Sequence, residues 1–189
     1  MRWSIRLARG ACWALAFAWV TALAAPPATT PVDTLLREAE RVRSAQPARL
    51  AELLTELEAA TQRATRAQRE RIAYLRAYRE AFSGRYGNAL EEARALVESA
   101  SDPALRLRAQ ALIVTVHGLS RQFTEGLREL ESLHAAVPDI QDIDVVRQAL
   151  FASAGLYHQV GQHALAIRDL DQLLVRTAPM DARDQCLVT

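Results

Sequence analysis

A short segment that recurs three times constrains the fold of this chain more than any other feature. The copies are Gly84–Leu90, Arg121–Leu127 and Gly161–Ile167. In each copy a ring residue lies two positions after the start, a small residue follows three positions later, and an aliphatic residue ends the segment. Repetition of this kind is typical of arrays in which each unit buries its apolar face only against its neighbours.

The same intervals also separate matching residues that lie beyond the recurring segment. The ring residues Tyr86, Phe123 and His163 are 37 and 40 positions apart, and the leucines Leu96, Leu133 and Leu173 keep the same intervals. Pro138 and Pro179 then follow the second and third copies. The repeating unit is therefore somewhat longer than the recurring turn, and each turn is expected to join two elements of one unit.

Apolar residues at spacings of three and four predict that those elements are helices. The first such face comprises Val32, Leu35, Leu36, Ala39 and Val42, and similar faces follow up to Ala164–Thr177. The abundance of Ala, Leu, Arg and Glu also favours helices over strands. We predict an all-α fold: a helix-turn-helix solenoid of about four helix pairs, spanning residues 32–180 and stacked in a right-handed sense.

These units resemble the tetratricopeptide repeat family, in which a small residue of the first helix packs on a small residue of the second. The matching positions are Ala77 with Ala89, Val114 with Gly126, and Ala154 with Ala166. The resemblance covers Arg69–Pro179 and, more loosely, Val32–Thr61, although the family's tryptophan in the first helix is missing. A related helical solenoid is the alternative. The resemblance implies a scaffold that binds a protein or peptide partner.

The N-terminus has the pattern of an export signal. Arg2, Arg6 and Arg9 precede an uncharged apolar stretch, and Ala22-Leu23-Ala24 offers a small-x-small cleavage motif. We predict a signal peptide at residues 1–24, a linker at 25–31 and a periplasmic or secreted product, with an uncleaved anchor as the alternative. The exported chain is then expected to begin at Ala25 or Pro26, which its intact mass tests, and retention of residues 1–24 in the membrane fraction would favour the anchor.

A looser resemblance gives a second functional hypothesis. A signal followed by long, Ala/Arg/Leu-rich units is similar to the periplasmic sensor half of bacterial diguanylate cyclases, in which a membrane helix and a GGDEF domain follow. Neither occurs in these 189 residues. This resemblance implies a sensory part of a membrane-bound cyclase, in which contact with the membrane comes from an uncleaved signal or a further C-terminal segment. A GGDEF motif in the downstream reading frame would decide for it.

No pattern of residues predicts catalysis, a cofactor or a metal site. All 23 basic residues are arginine, so mechanisms that need a lysine are excluded. His158 and His163 are five positions apart, which predicts different faces of one helix, and Ser83 and Ser153 lack the setting of a nucleophile. Without residues 1–24 the chain keeps 20 basic and 22 acidic residues, which does not favour nucleic acid.

The predicted binding surface is the concave side of the stack, where the first helix of each pair lies. Two interpretations stay open: the aromatic residues form a recognition surface, or Tyr74 and Phe151 fill gaps between neighbouring pairs. Arginines on this face suit acidic or extended peptides, because guanidinium groups bind carboxylates in planar pairs. The predicted groove residues are Arg71, Tyr74, Tyr78, Arg108, Thr115, Gln148, Phe151 and His158, beside Ala111.

The C-terminal end is predicted to lack a cover. Leu170, Leu173, Leu174 and Val175 are more apolar than one exposed helix requires, and residues 181–189 look like the start of a further helix. We therefore expect either a truncated array or a partner on this end.

Overall fold

The structure is a computed structural model that describes residues 31–177. Within this range the chain forms eight α-helices, two short 3₁₀ turns (Thr61–Arg63 and Val137–Asp139) and no strands, so the predicted all-α fold is confirmed. The helices are α1 Pro31–Val42, α2 Pro47–Ala60, α3 Arg66–Phe82, α4 Tyr86–Ser99, α5 Pro103–Leu119, α6 Phe123–Ala136, α7 Ile143–Gln159 and α8 His163–Thr177.

The helices form four consecutive pairs that stack as a solenoid. Within a pair, α1 packs on α2, α3 on α4, α5 on α6, and α7 on α8. The first helix of each later pair contacts both helices of the preceding pair. This places α1, α3, α5 and α7 side by side along one face of the stack.

Helix starts follow local capping chemistry. Asp102 accepts a hydrogen bond from the backbone N–H of Ala104, and Asp142 accepts from those of Asp144 and Val145. Thr65 and Gln68 form a reciprocal capping box at the start of α3. These caps satisfy backbone donors that have no partner within the helix.

The three recurring segments each begin at a residue with left-handed backbone. Gly84 and Gly161 have φ of +79° and +77°, whereas Arg121 adopts φ of +59° at the equivalent place. A residue with a Cβ pays for this conformation in steric energy, which glycine avoids. The repeat therefore requires the turn geometry at all three places but has a favourable residue at only two.

Substitutions at two of these turns are expected to change the free energy of unfolding in different ways. Gly161→Ala should lower the free energy of unfolding by about 1 kcal/mol, because a left-handed residue with a Cβ is strained. No atom lies within 4 Å of the added Cβ, so packing contributes nothing. Arg121→Gly should relieve the same strain and leave stability equal or higher. Urea denaturation measures both, and a stabilising Gly161→Ala would contradict the explanation.

Two apolar clusters fill the stack, and α5 belongs to both. Leu105 and Ile113 of α5 pack with α1–α4, whereas Leu107 and Val114 pack with α6–α8. The approach of α7 to α6 is close: a Cβ on Gly126 would lie 2.9 Å from a methyl group of Leu156. The small residue in this repeat position thus admits the first helix of the next pair.

The predicted signal peptide (1–24), the linker up to residue 30 and the predicted further helix at 181–189 lie outside the described residues. Pro31, assigned to the linker from the sequence, is the first residue of α1. Across residues 31–177 we find no helix with the length and apolar character that a bilayer crossing requires.

Candidate functional site

A groove of about 640 Å³ lies along the face formed by the four first helices. Its cationic lining residues are Arg43, Arg108 and Arg147, and its acidic ones are Glu40 and Asp144. All of its other lining residues also belong to α1, α3, α5 and α7 or to the residues directly after them. The predicted concave location is therefore where the structure has a large groove.

A hydrogen-bonded contact joins the first and the fourth helix pairs of the stack beside this groove. Arg43, just after α1, donates hydrogen bonds to the hydroxyl of Tyr74 at 2.9 Å and to Gln148 Oε1 at 3.1 Å. Gln148 in turn donates through Nε2 to the same tyrosine oxygen. The first and fourth helix pairs thus meet across α3, so the stack curls around the groove.

Tyr74 does not line the groove. Its residue surface is only 1% exposed, and its ring belongs to the core of the first two pairs. Of the two interpretations left open for Tyr74, the structure favours the packing one. The Tyr74 hydroxyl has hydrogen-bond partners in this buried setting, because it accepts from Arg43 and Gln148.

Arg71 does not line the groove either. Its Nε and Nη2 atoms donate to Glu40 Oε1 at 3.1 and 3.0 Å. Arg108 Nη1 lies 3.7 Å from the same oxygen. Of the two planar guanidinium groups predicted to bind a partner, Arg71 is therefore paired with an internal carboxylate, and Arg108 is only loosely held.

The aromatic part of the groove is Tyr78, Phe82 and Phe151. The Tyr78 and Phe82 rings have centroids 4.5 Å apart, and Arg43 lies over the Tyr78 ring at 5.1 Å. Phe82 is 57% exposed and Phe151 is 37% exposed, both high for phenylalanine. Burial raises the pKa of the Tyr78 phenol above its ordinary value, so this group stays neutral at physiological pH. The surface offers uncharged rings beside arginines.

The remaining predicted groove residues divide between two places. Thr115 and Gln148 line the groove, and Thr115 also donates to the carbonyl of Ala111, a fully buried residue. His158 is not part of the groove. It lies beside His163, with ring centroids 5.2 Å apart, because a turn separates α7 from α8. The expectation that these histidines occupy different faces of one helix was wrong.

The sequence interpretation missed several lining residues. Phe82 had a visible signal, because it lies four positions after Tyr78 and so shares its face of α3. Arg43 and Glu40 had none, since their place depends on how far the stack curls. Leu119, at the end of α5, is another exposed apolar lining residue.

A polar cluster of Ser153, His134 and Asp169, of which Ser153 and Asp169 are buried, was also not predicted from the sequence. Ser153 Oγ donates to Asp169 Oδ2, and His134 Nε2 lies 3.0 Å from both of these atoms. Arg168 donates to the other carboxylate oxygen at 3.0 Å. These contacts with His134, Ser153 and Arg168 outweigh burial and lower the pKa of Asp169.

This cluster has the residue types of a hydrolase triad without its geometry. A triad histidine uses one ring nitrogen for the serine and the other for the carboxylate. Here His134 presents Nε2 to both, and Ser153 is fully buried. The cluster therefore serves to join α6, α7 and α8.

Within residues 31–177, no three His, Cys, Asp or Glu side chains gather as a metal site would require. No family model, no curated protein and no solved structure matches the chain.

Proposed function

We propose that this protein is a helical-repeat scaffold whose concave groove binds a protein or peptide partner. The observation that carries the proposal is the groove itself: exposed aromatic rings and arginines converge on one face of a curved stack. Aromatic residues and arginine are the residue types that dominate binding energy at protein interfaces. Export, from the pattern of residues 1–24, and membership of the tetratricopeptide class, from the recurring turns, are parts of the same proposal.

The lining residues favour an anionic segment that carries an aromatic or aliphatic side chain. Arg43 forms no ion pair with any residue in the range 31–177, because its guanidinium bonds only to neutral oxygens. The buried Nε of Arg108 has no hydrogen-bond partner in the same range. The positive charge of Arg43 is not paired with a carboxylate in this range and would attract a carboxylate of a partner, whose apolar side chain would contact Phe82 and Phe151.

Binding to a panel of acidic peptides, with and without an aromatic residue, tests the proposal by fluorescence anisotropy. Arg108→Gln is expected to weaken the best peptide by about 10-fold or more, since hydrogen bonds to charged groups contribute about 1.5–3 kcal/mol. Phe82→Ala should weaken it by a similar factor. Because Phe82 is mostly exposed, that change should alter the melting temperature little.

Arg128→Gln on α6 is the matched control, because Arg128 is exposed and does not line the groove. Affinity should also fall with added salt, as expected for pairing of carboxylates with arginine. If no peptide of the panel binds a folded protein, or if Arg128→Gln weakens binding as much as Arg108→Gln, the groove is not the binding site.

A further inference from the structure

The outer end of the last helix pair carries a second, almost wholly apolar groove. It has a volume of about 440 Å³ and lies between α7 and α8. Its lining residues are Phe151, Ala154, Gly155, His158, His163, Ala166, Ile167 and Leu170. Ile167 is 57% exposed, more than a side chain of this type usually is in a stable fold.

Equivalent positions of the earlier pairs are covered. By the spacing of the repeat, Ile167 corresponds to Leu90 of α4 and Leu127 of α6, and both of these are half-buried against the cores. Phe151 corresponds to Ala111 of α5, which is fully buried. The same surface is therefore built three times, and among residues 31–177 no further helix covers it on the last pair.

What covers the earlier copies is known from the structure. It is the first helix of the next pair: α5 packs on α3 and α4, and α7 packs on α5 and α6. Helix α5 presents Leu105, Ala109, Leu112, Ile113 and Val116 to the preceding core. These residues are an apolar stripe at positions n, n+4, n+7, n+8 and n+11 of an amphipathic helix.

The small residue of the second helix is part of this docking surface. At the α6–α7 interface a methyl group of Leu156 lies against Gly126. Ala166 holds the Gly126 position in α8 and lines the apolar groove of the last pair. An incoming helix would place an aliphatic side chain on Ala166 in the same way, with Ile167 and Leu170 beside it.

We propose that the α7–α8 end face binds an amphipathic α-helix of a partner, one whose apolar stripe has the n, n+4, n+7, n+8, n+11 spacing of α5. The same interface is already formed between successive pairs of this chain, and the end face repeats its chemistry. The site is separate from the concave groove, except that Phe151 and Gly155 border both.

A labelled peptide with the sequence Asp102–Leu119 is the probe, because this segment contains the helix that covers the corresponding surface on α3 and α4. It should bind the full chain in an anisotropy titration. Ile167→Glu should weaken binding at least about 10-fold, because a carboxylate would enter an apolar contact. Val175→Glu, on the same helix but outside the groove and 78% exposed, should have no effect.

A second peptide, in which Glu replaces the residues equivalent to Leu112 and Ile113, should not bind. Phe82→Ala in the protein should leave binding of the α5 peptide unchanged, which separates this site from the concave groove. Equal binding by the Ile167→Glu protein would overturn the proposal, as would failure of the α5 peptide to bind. Self-association of the full chain in sedimentation that Ile167→Glu abolishes would also overturn it, because the occupant would then be a second copy.

Discussion

Replacing Tyr74 with alanine is expected to lower the free energy of unfolding by about 3–5 kcal/mol, the usual cost of removing a buried aromatic ring. Tyr74 is 1% exposed and packs in the core of the first two pairs. The substitution also removes the oxygen that accepts hydrogen bonds from Arg43 and Gln148. Since a domain of this size is stable by only about 5–15 kcal/mol, the loss should be evident in urea denaturation.

Tyr78→Ala is the matched control, because Tyr78 lies one turn further along α3 and is only half-buried. It should destabilise less and should weaken peptide binding in the folded protein. Tyr74→Phe keeps the ring and isolates the hydroxyl, so it should cost about 1–3 kcal/mol, the penalty for polar groups left without a partner. Equal stability of Tyr74→Ala and the natural chain would contradict the placement of Tyr74 in the core.

Replacing Asp169 with alanine is expected to cost about 3 kcal/mol. Its carboxylate is buried and holds Ser153 of α7, His134 of α6 and Arg168 of α8. Removing one member of a buried polar group leaves the others without partners, which is more costly than replacing the whole group. Asp171→Ala on the same helix, where the side chain is exposed, is the control and should change stability little.

The same contact predicts a pH dependence. Because the folded protein lowers the pKa of Asp169, the carboxylate stabilises the fold above the ordinary aspartate pKa of about 3.9. This contribution is lost as the pH falls through the lower, folded pKa. The difference in unfolding free energy between the natural chain and Asp169→Ala should therefore narrow below about pH 4. A difference that stays constant down to pH 2 would show that the ionised carboxylate is not the stabilising group.

The helices were predictable because each carries its own signal. Apolar spacing and the recurring turns predicted about four helix pairs, and residues 31–177 form four. Arg121 shows a limit of residue-type signals. The turn it opens was identified by comparison with Gly84 and Gly161, not by a glycine of its own.

The candidate site was only partly predictable. Placement on the first helices followed from periodicity, and Tyr78, Arg108, Thr115, Gln148 and Phe151 do line the groove. Which side of a helix faces the groove and which faces the next helix depends on the crossing angle between pairs. Tyr74, in the core, and Tyr78, in the groove, are only about one helical turn apart on α3. The hydrogen bond from Arg71 to the carboxylate of Glu40 joins residues 31 positions apart, and the periodicity of one helix does not encode such a contact.

The hydrogen bond from Arg43 to Gln148 joins residues 105 positions apart, whereas most helix packing within residues 31–177 lies inside a pair or between adjacent pairs. An array with only neighbour contacts can fray from either end, one unit at a time. Here the first and fourth pairs are joined across the concave groove, so unfolding of either pair also breaks the contact between them. The two ends should therefore unfold in concert, with amide hydrogens in α1 and α7 exchanging with solvent through one shared opening event. A ligand in the concave groove would slow amide exchange at both ends together, and this effect would extend well beyond the residues that the ligand contacts.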